Sequence, residues 1–271
     1  MPHAQTQKGS EMAQEARTGT AEVNGTRLYY EIRGSGPTLF FIPGAEGDAE
    51  EYLRVADLLK GEFTILSYDR RAFSRSPRPT GFAGTTVDEQ ADDAAALLQA
   101  VGLAPATLWG NSSGAIIGLA LVLRYPELVT RAMLHEPPLA AGMSDPAGTS
   151  AALEQATANG KIPFMKMLMG EELYNGLSAD YRQRLEADDT WIGYEFGNFE
   201  GYGVTDEGLS GVKTPVQVLY GSQTLPFFGE VAHWLAERIG CESVVLPGNH
   251  AVHYELPQEV ARAIREFAAV V

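Results

Sequence analysis

The sequence has a single cysteine, Cys241, among its 271 residues. No intrachain disulfide can form, and a reducing, cytoplasmic setting is the expectation. It has no run of 18 or more apolar residues, which excludes a spanning helix. Positive charge is scarce: 20 Lys and Arg stand against 35 Asp and Glu, a net charge of −15. Nucleic-acid binders need a basic footprint, so no nucleic acid is expected as partner. An anionic membrane surface is disfavoured for the same reason. Residues Met1 to Thr20 lack the apolar core of a secretion signal and read as a polar tail, with 1–19 expected to be disordered.

What is present is ordinary for a globular chain, with 45% apolar and 20% charged residues. From Thr20 onward, short apolar runs alternate with helix-period runs. The strand-like runs are Thr26–Ile32, Thr38–Ile42, Phe63–Tyr68, Ala106–Trp109 and Val129–Leu134. Between them the spacing predicts helices over Asp48–Lys60, with Leu53, Val55, Leu58 and Leu59 inward, over Thr86–Val101 and over Ser113–Arg124. Strand text returns at Pro215–Tyr220 and Ser243–Leu246, with helices over Phe228–Ile239 and Pro257–Val270. Such alternation implies an α/β fold with a mostly parallel central sheet and helices on both faces. Its functional edge is the carboxyl end of the strands. The segment 138–212 carries no buried-strand text and is expected to be a helical lid, inserted into a core formed by 20–137 and 213–271.

Gly110-Asn111-Ser112-Ser113-Gly114 follows a strand and opens an apolar helix. This G-x-S-x-G spacing suits a nucleophile held on a strained strand-to-helix turn, where only small neighbours fit. Ser112 is the candidate nucleophile, and the Ser113 N–H at the helix start is a candidate oxyanion donor. A helix cap at Ser112 or Ser113 is the plainer alternative. The second donor is assigned to the N–H of Ala45, in the small-residue loop Pro43-Gly44-Ala45-Glu46-Gly47. Gly44 and Glu46 are candidate substrate contacts there, although an exposed loop glutamate is the blander reading of Glu46.

A serine nucleophile needs a base. His250, in the loop after the last strand, is favoured over His253, three residues later. His233 lies within a helix and reads as a surface or packed histidine. The usual place for the triad acid, Gly221-Ser222-Gln223-Thr224, holds no carboxylate. Glu136, ending the apolar strand before Pro137-Pro138, lies 24 residues beyond Ser112 and reaches the same sheet edge one strand over. A carboxylate buried there requires a partner, and a histidine is the natural one. A solvent-facing glutamate in the lid hinge is the alternative. His135 is expected to point to the face opposite Glu136, so that the two form no ligand pair and no metal is implied.

Taken together, these motifs resemble the α/β-hydrolase fold serine hydrolases over about Thr20 to Val271. The motifs are Pro43-Gly44, Asp69-Arg70-Arg71 with Ser74-Arg75-Ser76, Gly110–Gly114, His135-Glu136 and Gly248–His250. An acid after the strand that follows the nucleophile helix is similar to that of haloalkane dehalogenases, which carry an Asp nucleophile where this chain has Ser112. A closer resemblance is to the zearalenone lactonases. It rests on the turn Trp109 to Ala115, the pair His135 and Glu136 before proline, and Leu246 to His250. That resemblance implies a Ser112–His250–Glu136 triad, no cofactor, and a lid tryptophan over the substrate, matched by Trp191 with Tyr194 nearby. His135 is carried along as a substrate contact.

The expected substrate is a small-molecule ester or lactone. A lid rich in Phe164, Met165, Met167, Met169, Trp191, Tyr194 and Phe196 suggests that it is large and apolar, if those residues do not simply pack the lid onto the core. A non-catalytic ligand receptor of the same fold and a C–C bond hydrolase are the rival readings. A homodimer is compatible with the sequence.

Overall fold

A computed structural model describes residues 16–269, apart from the side chains of 198 and 200. Eight strands form one sheet: β1 (Arg17–Val23), β2 (Thr26–Gly34), β3 (Thr38–Ile42), β4 (Thr64–Tyr68), β5 (Ala106–Asn111), β6 (Val129–His135), β7 (Val216–Gly221) and β8 (Ser243–Leu246). Their order across the sheet is β1-β2-β4-β3-β5-β6-β7-β8. The pairs β1·β2 and β2·β4 are antiparallel, and every other pair is parallel.

Strand β1 corrects the expectation of a disordered 1–19. Residues 1–15 of that tail lie outside the described residues, but Arg17, Thr18 and Gly19 pair with Ile32, Glu31 and Tyr30. Only Val23 of the strand is buried, so the edge position leaves no apolar run in the sequence.

The central strands β3, β4, β5 and β6 are buried almost throughout, because helices cover both faces. On one face pack α2 (Val87–Ala100), α3 (Ser113–Arg124) and α10 (Pro226–Ile239). On the other lie α1 (Leu53–Leu59) and α12 (Pro257–Ala268). Local signals explain the ends. Thr86 caps α2 by accepting from the Glu89 N–H, and α10 starts at Pro226 and stops at a left-handed Gly240. The expected helix over Asp48–Lys60 is a 3-10 turn, Ala49–Tyr52, followed by α1. Leu58, expected inward, is exposed, because Val55, Ala56 and Leu59 form the buried face of α1 and Leu58 lies about a quarter-turn off it.

Between β6 and β7 the described residues form no strand, only helices joined by loops, beginning with a 3-10 turn at Ala140–Gly142. The α-helices are α4 (Pro146–Thr157), α5 (Lys161–Met169), α6 (Glu171–Asn175), α7 (Ala179–Ala187), α8 (Phe196–Glu200) and α9 (Asp206–Ser210), with a π-helical turn at Trp191–Glu195. A fully buried ion pair ties this segment to the core: Arg70 donates to both Glu195 oxygens, at 2.8 and 2.9 Å, and to Gln90. Arg184 reaches Asp48 at 2.7 Å across the same junction. A short helix, α11 (Val252–Glu255), follows the loop after β8. Among the described residues no helix is long and apolar enough to cross a membrane.

Candidate active site

The ends of β5 and β6 both leave the sheet through strained backbone. Ser112, directly after β5, has φ 55° and ψ −124°. A non-glycine residue in this region costs on the order of 1–3 kcal/mol and persists only where its surroundings enforce it. Here they do. A Cβ at Gly110 would stand 2.3 Å from the Gly114 carbonyl oxygen, and one at Gly114 would stand 2.1 Å from that of Ile42. Only glycine at both positions lets α3 start this close to the strand. The Ser112 N–H donates to the His135 carbonyl at 3.0 Å, and the Ser112 carbonyl accepts from the Ala115 N–H at 2.9 Å.

Glu136, directly after β6, is the second strained residue, with φ 50°. It is fully buried. One of its oxygens accepts from the Gly221 N–H at 2.7 Å; the other accepts from the Thr224 hydroxyl at 3.0 Å and lies 2.5 Å from His250 Nδ1. The loop after β7 therefore supplies donors to a carboxylate rather than a carboxylate of its own. Burial alone would raise the Glu136 carboxyl, but neighbouring His135, the His250 hydrogen bond and the Gly221 N–H together hold it down at about 2. His135 is itself pushed down to about 4 by burial and is neutral near pH 7. At that pH the hydrogen bonds from Gly221, Thr224 and His250 are what hold the glutamate ionised.

His135 differs from expectation in two ways. It was expected on the face opposite Glu136, yet its Nε2 lies 3.9 Å from Glu136 Oε1. The left-handed turn at Glu136 breaks strand alternation and brings both side chains to one side. It was also expected to touch substrate, yet it is fully buried, bonded through Nδ1 to Asn111 at 2.7 Å, and outside the cavity wall.

A cavity of about 340 Å³ opens over this edge. Ala45, Glu46, Ser112, Ser113, His250 and Trp191 all line it. Most of its remaining wall is apolar: Ile116 from α3, Leu153 from α4, Phe164, Met165, Leu168 and Met169 from α5, then Phe196, Phe199 and Phe228. Phe228 stacks on the His250 ring at 4.5 Å, and Trp191 stacks on Phe164 at 5.3 Å. Among the described residues no cluster of three or more metal-ligating side chains occurs.

Two other expected contacts do not reach the cavity. Gly44 is buried, its N–H taken by the Glu51 carboxyl at 2.9 Å and its carbonyl by Arg70 at 2.5 Å, so it anchors the loop from behind. Tyr194 faces outward, against Phe82 at 5.3 Å and under Arg78. In the π-helical turn its side chain is carried away from that of Trp191. The partners that sequence reasoning missed are Asn111, Thr224 as a donor, and Glu51. Asn111 and Thr224 are defined by contacts between separate strands and loops, and Glu51 by a turn that brings it back to a backbone N–H seven residues earlier.

A family model described as alpha/beta hydrolase fold matches residues 37–255. The chain is 32% identical over 256 residues to an uncharacterized hydrolase, YraK, of Bacillus subtilis, covering 92% of this chain and 94% of that protein. It is 28% identical over 260 residues to a zearalenone hydrolase of Bionectria ochroleuca, covering 92% and 97%. The solved structure of carboxylesterase CesB (YbfK) from Bacillus subtilis superposes with a TM-score of 0.76 at 20% identity, covering 94% of this chain and 92% of that one. With its glycine-flanked Ser112 turn, parallel core and family match over most of its length, the chain belongs to the α/β hydrolase fold family.

Proposed function

We propose that the chain is a serine hydrolase that cleaves a carboxylic ester or lactone through an acyl-enzyme. The observation that carries this reading is the 2.5 Å contact between His250 Nδ1 and the buried Glu136 carboxylate, beside a cavity that Ser112 also lines. With Nδ1–H committed to Glu136, the Nε2 of His250 is left as the base. Ser112 Oγ attacks the carbonyl carbon while His250 takes the hydroxyl proton. His250 then returns that proton to the departing alkoxide, and the acyl group stays on Ser112. Water, deprotonated by His250, attacks the acyl carbon; His250 then returns the proton to Ser112 Oγ as the bond to it breaks and the acid is freed. The N–H groups of Ala45 and Ser113 receive the oxyanion, aided by the N-terminus of α3.

The helical segment 138–212 serves as a lid. It supplies Leu153, Phe164, Met165, Leu168, Met169, Trp191 and Phe196 to the cavity wall. This supports a large apolar substrate, of which a polyketide-like lactone is one example, with Trp191 as a contact. The identity to a zearalenone hydrolase supports the same reading. Replacement of Ser112 by alanine, assayed with a series of p-nitrophenyl esters, tests it. Turnover should fall by about 10³-fold or more. Near-wild-type hydrolysis by S112A would exclude Ser112 as nucleophile.

A further inference from the structure

We infer that Glu46 and His253 form a second polar subsite in the same cavity, one that takes a hydroxyl group of the substrate close to its scissile bond. This rests on the hydrolase reading above and adds a substrate feature to it. Both residues line the cavity, and neither belongs to the proposed triad. Glu46 directly follows Ala45, and His253 lies within one helical turn of His250. The subsite therefore borders the proposed reaction centre.

His253 is 1% exposed, and neither of its ring nitrogens has a hydrogen-bond partner. Its ring is held by Tyr52 at 5.0 Å and Tyr254 at 4.4 Å, so its direction is set by packing. Glu51 lies behind it, 3.6 Å from Nε2, too far for a hydrogen bond. Buried polar groups are costly unless satisfied, and this histidine sits on the wall of a cavity. Glu46 is backed by the same Glu51: a Cβ on Gly44 would stand 3.5 Å from both Glu46 Oε2 and Glu51 Oε1.

Glu51 is fully buried and Glu46 half-buried beside it, so the two carboxyls do not both ionise easily. Burial raises each, and Glu46 raises Glu51 further. Burial also keeps His253 neutral, with one N–H and one lone pair. Nε2 faces Glu51, which leaves Nδ1 of the neutral imidazole, together with the Glu46 carboxyl, to offer a donor and an acceptor, and a hydroxyl is the small group that matches both. Outside the reaction centre the other polar side chains on the wall are Thr149 and Ser150 of α4, and the rest is largely apolar, so a largely apolar substrate bearing a hydroxyl near its scissile bond is the class that fits.

The test uses two isosteric ester pairs on the full chain. In the acyl pair, p-nitrophenyl 3-hydroxybutanoate is compared with p-nitrophenyl 3-methylbutanoate. In the alcohol pair, 2-hydroxyethyl butanoate is compared with propyl butanoate. The ratio of kcat/KM within each pair is measured for wild type, E46L, E46Q and H253F, and referred to the uncatalysed ratio. The wild type should prefer the hydroxyl member of at least one pair. E46L and H253F should each lose about tenfold of that preference, the scale of one hydrogen bond to a buried polar group, and E46Q, which keeps a donor and an acceptor, should lose less. Absence of a hydroxyl preference in the wild type, or a preference that survives in E46L, E46Q and H253F alike, overturns the subsite while leaving the hydrolase reading intact. A wild type that hydrolyses none of the four esters and takes no fluorophosphonate on Ser112 overturns both.

Discussion

His250 Nδ1 lies 2.5 Å from Glu136 Oε2, although 114 residues separate them in the chain. Glu136 ends β6 and His250 follows β8, and the strand between them, β7, brings Gly221 and Thr224 to the same carboxylate. Three parallel strands thus converge on one buried charge. Its position one strand nearer Ser112 explains why Thr224 stands where a carboxylate was sought.

From this convergence follows a ranking of two variants. E136Q keeps the shape and removes the charge, so kcat should fall by about 10³-fold or more. T224A removes one of three hydrogen bonds to that carboxylate and should cost less than about tenfold. Steady-state kinetics on a p-nitrophenyl ester decides; the reverse ranking would move the acid elsewhere.

The buried histidines predict acid lability. Burial pushes His135 from 6.5 to about 4 in the folded chain, so between those values the unfolded chain binds the extra proton. Stability from this group is complete above about 6.5 and is lost as pH falls toward 4, by ~3 kcal/mol in total. His253, also lowered by burial, acts in the same direction. Urea midpoints measured from pH 7 to pH 4.5 should fall, and the slope should flatten in H135N. An unchanged slope in that variant would show that His135 is not the source.

Arg70 and Glu195 are both fully buried, whereas Arg262 and Glu266 are largely exposed. Removing one member of the buried pair leaves the other uncompensated, so R70L should lose about 3–5 kcal/mol. R262L should lose less than about 1 kcal/mol, because water screens that pair. Chemical denaturation of the two variants measures the contrast, and equal losses would contradict it.

Trp191 packs on Phe164 and Phe196 at the cavity wall. W191A should lower kcat/KM for a long apolar acyl ester by about tenfold, and that for the acetate by much less. An equal loss on both esters would mean that Trp191 shapes the lid without touching the acyl chain.

The tight strand-to-helix turn at Ser112 was legible because its requirement is local: glycines on either side of Ser112 are what the close approach of α3 to Ile42 demands. The buried strands β3 to β6 were legible as apolar runs. Strand β1 was not, since its edge position leaves only Val23 buried. Glu136 could be found by its place at a strand end, but its φ of 50° left no mark in the sequence, and the side assigned to His135 was wrong for that reason. Gly44 looked like a substrate contact because small residues suit such loops; Glu51, seven residues on, takes its N–H. The Arg70–Glu195 pair spans 125 residues and has no local pattern at all.

The most direct test of Ser112 as nucleophile is intact-protein and peptide mass spectrometry after exposure to a fluorophosphonate. One adduct per chain on the Ser112 peptide, absent from S112A and much slowed in E136Q, is the predicted result. An unlabelled wild type, or an adduct on any other residue, would contradict it.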